Sequence, residues 1–167
     1  YSAIQTLIQA KKVYILGAGS SLALATFLVH YFELMFDSVH LVDATSEANI
    51  YQQMIRINKN DAFIVMSFPR YSKKAVNALH YAVNIGVETI AITDSPMSPL
   101  AEFASHLLLA KTDMVAFVDS LVGPLSLINA LIVNVAIEKK EEVADILQRI
   151  EDIWEEYSIY EKVDDHA

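Results

Sequence analysis

Short apolar runs alternate with longer segments of helical periodicity along most of the chain. Five largely apolar runs predict strands, over residues 12–16, 39–43, 61–67, 87–93 and 106–110. The segments between them predict helices, over residues 20–36, 47–57 and 73–86, with a short one around 99–105. Strands that are apolar throughout are buried on both faces, as in a parallel sheet covered by helices on each side. The pattern therefore predicts an α/β fold, a three-layer α-β-α sandwich around a five-stranded parallel sheet.

The C-terminal part of the chain predicts two more helices, over about 120–138 and 141–160. The last of these is amphipathic, with its apolar side chains on one face: Val143, Ile146, Leu147, Ile150, Ile153 and Trp154. No repeat, linker or low-complexity segment interrupts the pattern, so we expect a single domain over residues 1–160. We expect residues 161–167 to form a frayed tail.

Residues 120–137 contain no charged side chain, and this length raises the question of a membrane-spanning helix. Gly123, Pro124, Asn129 and Asn134 interrupt the apolar segment, and no aromatic belt flanks it. We therefore expect a buried helix and no association with a membrane.

Two of the predicted helices, 20–36 and 120–137, are apolar nearly all round. A helix that packs on only one face of a sheet should keep a polar stripe towards solvent. A second copy of the chain would cover the additional apolar surface, and we therefore expect a homodimer or a higher homo-oligomer. The alternative is that the amphipathic C-terminal helix covers both helices within one chain.

Composition and charge exclude several classes of function. The sequence contains no cysteine, which rules out disulfides and thiolate metal sites, and its five histidines show no metal-ligand spacing. Lys+Arg is 12 against Asp+Glu 21, and this net charge of -9 disfavours binding of nucleic acid through its phosphates. Contact with DNA would require a segment outside this chain. No signal peptide is visible, and we expect a cytoplasmic protein without a metal.

The sequence GAGSS, residues 17–21, directly follows the first predicted strand. In open α/β sheets, ligands lie beyond the carboxyl ends of the strands. The glycines, including Gly19, allow the backbone to bend, and Ser20 and Ser21 open a helix whose first amides favour a phosphate. The same residues could form only a tight turn with a serine cap. Leu22 occupies the third glycine position of the dinucleotide-binding motif, so we expect no nicotinamide cofactor.

A second polar segment, residues 67–72, follows the third predicted strand. If the first and third strands are neighbours, Ser67, Arg70 and Ser72 converge with the serines of GAGSS on one crevice. Several hydroxyls and a guanidinium capable of bidentate contact suit a phosphorylated, hydroxyl-rich ligand. The alternative is that Ser72 only caps the next helix and Arg70 is a solvated charge.

GAGSS followed by MSFPRYSK resembles the SIS domain, the sugar isomerase fold, and more narrowly the effector domain of RpiR-type transcriptional regulators. The resemblance extends from about residue 3 to about residue 138 and includes the order of the elements. It implies a five-stranded parallel sheet with flavodoxin-like strand order that binds phosphosugars, usually in dimers or higher oligomers. It also implies that a helix-turn-helix domain absent from this chain would contact DNA.

The phosphate loop of this family, Ser-x-Ser-Gly-x-Thr, corresponds to residues 67–72. Its first serine falls on Ser67 and its threonine on Ser72. Its second serine and its glycine fall on Pro69 and Arg70, as in a Ser-x-Pro-Arg-Tyr-Ser form that occurs in RpiR-type proteins. The ligand-binding residues that the resemblance implies are Gly19, Ser20, Ser21, Ser67, Arg70 and Ser72.

Catalysis of aldose–ketose isomerisation requires a base that moves a proton between adjacent carbons. In the isomerase domain of glucosamine-6-phosphate synthase, a Glu-Leu-Lys-His-Gly-Pro stretch supplies it, and residues 119–124 correspond to that stretch. Asp119 replaces the glutamate, and Leu-Val replaces Lys-His. Glu47 is a second candidate base, although an acid at a helix start is its simpler interpretation. We therefore expect a non-catalytic sugar-phosphate sensor; the alternatives are a phosphosugar isomerase or lyase, and a purely structural dimerisation module.

Overall fold

The computed structural model describes residues 1–115 and 117–160. Its main sheet contains five strands: β1 (Val13–Gly17), β2 (Val39–Leu41), β3 (Ala62–Met66), β4 (Glu88–Thr93) and β5 (His106–Leu109). The strand order is β2-β1-β3-β4-β5, and all neighbouring strands are parallel. The predicted parallel sheet and its flavodoxin-like order are therefore confirmed.

Helices cover both faces of this sheet: α1 (Ser2–Gln9), α2 (Ser21–Phe32), α3 (Glu47–Met54), α4 (Lys73–Asn84), α5 (Val122–Glu138) and α6 (Lys140–Glu156). The first face packs against α1, α2 and α5, and the second against α3 and α4. Along β1, Val13 and Ile15 point to the first face, whereas Tyr14 and Leu16 point to the second. Because successive side chains of a strand alternate between faces, β1 and β3 are buried at every position. This is the predicted three-layer sandwich.

The two central strands bring the two predicted ligand loops together. β1 and β3 are neighbours in register, with Val13 opposite Ala62 and Gly17 opposite Met66. Both strands therefore end at the same level, and the loops that follow them leave the sheet side by side. The adjacency on which the crevice prediction depended is confirmed.

Helix α4 ends where the sequence predicted. Gly86 has φ +80, and its amide donates to the carbonyl of Val83 at 3.0 Å. The amide of Val87 donates to the carbonyl of Ala82 at 3.0 Å. This pair of hydrogen bonds is a Schellman motif, which places a glycine in the left-handed conformation.

The helix predicted around residues 99–105 is wrong. This segment forms separate turns, including hydrogen bonds from Ala101 to Ser98 and from Ala104 to Leu100. Prolines at positions 96 and 99 lack the amide proton that a helix needs, and β5 begins at His106, so too few residues remain for a stable helix. The completely buried Leu100 fixes the segment instead.

Two elements were not predicted. Helix α1 covers the first face of the sheet, and a small hairpin of β6 (Met114–Val115) and β7 (Val118–Asp119) connects β5 with α5. The predicted frayed tail, residues 161–167, lies outside the described residues.

The C-terminal helix does not cover both apolar helices as the alternative required. Helix α6 leaves α5 at an angle of 100°, and none of its residues is buried. Apolar side chains of both helices remain exposed, among them Val133, Ile137, Leu147 and Ile153. Among the residues with described structure, no single helix is long and apolar enough to cross a membrane, although the bent pair α5 and α6 together has such a length and composition.

Candidate functional site

A cavity of about 370 Å³ lies beyond the carboxyl ends of β1 and β3. Its lining includes every ligand-binding residue expected from the sequence: Gly19, Ser20, Ser21, Ser67, Arg70 and Ser72. Ala18, Ala44, Phe68, Pro69, Lys74 and Asp119 complete it. The fold therefore gathers residues from separate segments of the sequence around one space.

The first loop presents hydrogen-bond donors at the start of α2. Gly19 has φ +62, a conformation that favours glycine, and the turn it makes directs the chain into the helix. Ser21 is buried, with an exposed fraction of 2%, although it lines the cavity. Within residues 1–115 and 117–160, no backbone oxygen accepts a hydrogen bond from the amides of Gly19 and Ser20. These amides and the positive end of the helix dipole suit an anion.

The second loop is closed by its own serines. The Ser67 hydroxyl accepts a hydrogen bond from the Ser72 amide at 3.0 Å, so its own proton remains available to another acceptor. The Ser72 hydroxyl accepts from the Ala75 amide at 3.4 Å and caps α4. The capping role considered for Ser72 is therefore present, together with a position on the cavity wall.

Arg70 adopts an unusual backbone conformation. Its φ is +64, in the left-handed region that glycine tolerates best. The family resemblance places a glycine at this position, so the turn has the glycine geometry although an arginine occupies it. Its side chain is exposed at the mouth of the cavity.

Tyr71 connects this loop to the end of β4. Its hydroxyl donates to Asp94 Oδ1 at 2.8 Å. Burial, the hydrogen bond to Asp94 and the charge of that carboxylate together raise the pKa of Tyr71 to about 12. The phenol therefore remains a donor, and the bond restrains the turn that carries Arg70.

Lys74 was missed by the sequence analysis. Its Nζ donates to the carbonyls of Ala44 at 3.3 Å and Thr45 at 2.9 Å. An ammonium has three protons, so one remains for a ligand in the cavity. No carboxylate of the described chain lies within ion-pair distance of Lys74. Two lysines, Lys73 and Lys74, open α4, and the sequence does not indicate which of them faces the crevice.

The two candidate bases lie in different places. Asp119, on β7, lines the cavity, and its Oδ2 accepts a hydrogen bond from the Ser20 hydroxyl at 3.1 Å. Glu47 does not line the cavity; its Oε1 accepts from Asn77 Nδ2 at 2.6 Å at the start of α3. The simpler interpretation of Glu47, an acid in the first turn of a helix, agrees with this position. No group of three potential metal ligands occurs in the described part of the chain.

The SIS domain family model matches residues 6–134, whereas no curated protein matches the sequence. Among solved structures, the sugar isomerase domain of an RpiR transcription factor from Sphaerobacter thermophilus is 31% identical with a TM-score of 0.82, over 90% of this chain and 84% of that one. Vibrio vulnificus NanR complexed with ManNAc-6P has a TM-score of 0.78 at 16% identity, over 92% of this chain and 58% of NanR.

An E. coli CFT073 protein in complex with arabinose 5-phosphate has a TM-score of 0.72 at 21% identity, over 89% of this chain and 81% of that one. Other structures of this fold have been described as phosphosugar isomerases. These matches at identities below 25% establish a likeness of fold alone. The family match covers most of the chain, and the RpiR relative extends it in sequence as well as in structure. The chain belongs to the SIS domain family, and within that family it resembles the sugar isomerase domain of RpiR-type transcriptional regulators.

Proposed function

We propose that the chain is the sugar-phosphate-binding effector domain of an RpiR-type regulator of carbohydrate metabolism, and that it senses its ligand without transforming it. The observation that carries this proposal is the convergence of free amides, hydroxyls and two cations, Arg70 and Lys74, on one cavity. In a chain with a net charge of -9, this local concentration of donors is what an anionic ligand requires.

In this proposal the phosphate lies between the two loops. The amides of Gly19 and Ser20 and the hydroxyls of Ser21 and Ser67 donate to its oxygens. Arg70 reaches it from the mouth of the cavity. The similarity to an RpiR transcription factor supports a phosphorylated sugar as the ligand, as do the complexes of two proteins of the same fold with ManNAc-6P and with arabinose 5-phosphate.

The absence of catalysis is proposed from the residues that replace the isomerase base and its neighbours. Asp119 is one methylene shorter than the glutamate of the resembled enzyme, and its carboxylate bonds the Ser20 hydroxyl. Leu121 and Val122 stand where that enzyme has lysine and histidine, and neither can carry a proton. Ring opening and proton transfer both require groups of that kind.

A phosphosugar isomerase remains the second candidate, favoured by the position of Asp119 inside the cavity. Turnover of either of these two sugar phosphates that is well above background, and that is lost on Asp119→Asn, would establish catalysis and refute the sensor proposal. We expect no turnover by the wild-type protein.

The regulator proposal also includes a homodimer and a DNA-binding partner domain. The exposed apolar surfaces of α5 and α6 support self-association, because burial of such surfaces is the main driving force of association. A helix-turn-helix domain outside this chain would bind DNA, since the acidic charge of this chain opposes that contact.

Isothermal titration calorimetry with both sugar phosphates and their unphosphorylated parents tests the site. Each serine bond to the charged phosphate is worth about 1.5–3 kcal/mol, so Ser21→Ala and Ser67→Ala should each weaken binding about tenfold to a hundredfold. Ser38→Ala is the matched control, because Ser38 precedes β2 at the opposite edge of the sheet. Equal affinities of the wild type and both cavity variants for every phosphorylated sugar would exclude this cavity as the phosphate site.

A further inference from the structure

Asp119 is the one acidic side chain among the described residues that line the cavity. Its carboxylate faces the donors assigned above to a phosphate and takes the hydroxyl proton of one of them, Ser20, at 3.1 Å. A site for an anion therefore contains an anion of its own. Arg70 and Lys74 do not form an ion pair with it in the described structure.

The hydroxyl of Ser20 has a single proton, so it cannot donate to Asp119 and to a phosphate at the same time. If a phosphate oxygen takes the place of the carboxylate, both anions lie about 3 Å from the same hydroxyl oxygen and at most about 6 Å from each other. Coulomb repulsion at about 6 Å weakens anion binding about threefold in water and about a hundredfold at the effective dielectric constant of a protein surface.

We propose that Asp119 is a specificity-determining residue, which rejects phosphate monoesters without hydrogen-bond donors and accepts those that carry hydroxyl or amino groups beside the phosphate. Such donors bond the carboxylate when it loses Ser20, and this bond offsets the repulsion. An ester without donors meets the repulsion alone. The inference rests on the proposed function, since it assumes that the phosphate binds between the two loops.

Methyl phosphate and ManNAc-6P are the probes, because they carry the same phosphate group without and with neighbouring hydroxyls. Dissociation constants are measured at pH 8, where both esters are dianions without a phosphate proton. Asp119→Asn retains an oxygen that can accept from Ser20 but removes the charge. We expect this variant to bind methyl phosphate about threefold to a hundredfold more tightly than the wild type. Its preference for ManNAc-6P over methyl phosphate should fall by at least the same factor.

Asp113→Asn is the matched control. It changes the net charge by the same amount in the same connection between β5 and α5, but Asp113 is exposed and does not line the cavity. We expect its affinity for both esters to equal that of the wild type. An equal gain in methyl phosphate affinity in both variants would overturn the proposal, because net charge alone would then explain it. An unchanged or weaker affinity of Asp119→Asn for methyl phosphate would overturn it as well.

A Ser21→Ala change separates failure of this inference from failure of the proposed function. If it weakens ManNAc-6P binding while Asp119→Asn changes neither constant, the phosphate site stands and the role of Asp119 is refuted. If the double variant Ser21→Ala/Asp119→Asn keeps the tighter binding of methyl phosphate, the anion lies elsewhere and both proposals fail. Binding of neither ester to any variant would also refute both. Urea unfolding of each variant verifies that the fold is retained.

Discussion

Replacing Arg70 by glycine should stabilise the fold while weakening the binding of phosphorylated ligands. Arg70 has φ +64, and an L-residue in the left-handed conformation costs about 1–2 kcal/mol relative to its preferred region. Glycine adopts this conformation without that cost, but it loses about 0.4–1 kcal/mol more backbone entropy on folding. The difference is a net stabilisation of about 0.5–1 kcal/mol, or roughly 1–4 °C in Tm for a chain of this size.

Arg70→Ala is the comparison that isolates the backbone term. Both variants remove the guanidinium, so both should lose the same affinity for ManNAc-6P, whereas only the glycine variant relieves the left-handed conformation. Gly86→Ala provides the opposite change: Gly86 has φ +80, and a Cβ there would meet nothing within 4 Å. It should destabilise the protein by a similar amount without affecting ligand binding.

Thermal and urea unfolding followed by far-ultraviolet circular dichroism measure the three stabilities. The reasoning predicts the order Arg70→Gly above Arg70→Ala, with Gly86→Ala below the wild type. If Arg70→Ala is as stable as Arg70→Gly, the left-handed conformation carries no cost, and the argument that the arginine is kept for its ligand loses its basis.

Three further changes test other parts of the structure. Raising the pH from about 10 towards about 12 should remove the stability that Tyr71 contributes, because its pKa is raised by burial and by Asp94, and the unfolded chain loses the phenol proton first; Tyr71→Phe should show a smaller loss over this range, and equal pH profiles would contradict this. Gly17→Ala should lower the free energy of unfolding by about 1–3 kcal/mol, because the new Cβ would lie 2.3 Å from the carbonyl oxygen of the first residue of α2; a urea midpoint equal to that of the wild type would be inconsistent with this packing. Light scattering should give a dimer of the 18.6 kDa chain, and the double change Leu147→Glu/Ile153→Glu on α6 should give the monomer; a dimer that persists would show that α6 does not contribute to the interface.

The sheet and the two ligand loops were predictable because each depends on a strong local signal. Runs such as residues 61–67 are apolar at successive positions, which distinguishes a doubly covered parallel strand from a solvated one. The loops follow these strands directly, so strand order alone was needed to bring Ser20 and Ser67 into one crevice.

What the sequence did not predict depends on contacts between distant segments. The hairpin that brings Asp119 to Ser20 has strands of two residues each, too short for an alternating pattern to identify. Lys74 faces the cavity because the loop after β2 supplies carbonyls for its ammonium, and no property of the first turn of α4 indicates this. The failed helix at residues 99–105 had suitable composition, but its two prolines and the nearby strand left no room for it.

Both ligand loops leave from the two interior strands of the sheet, and this position has a consequence for hydrogen exchange. β1 and β3 are buried at every residue, whereas β2 and β5 at the edges are partly exposed. Local opening in proteins begins where few apolar contacts must be broken, so the edge strands and α6 should exchange their amide protons through small fluctuations. The amides of β1 and β3 should exchange only when the whole chain unfolds. The cavity therefore rests on the last part of the molecule to open, and partial unfolding at the edges should leave ligand binding intact.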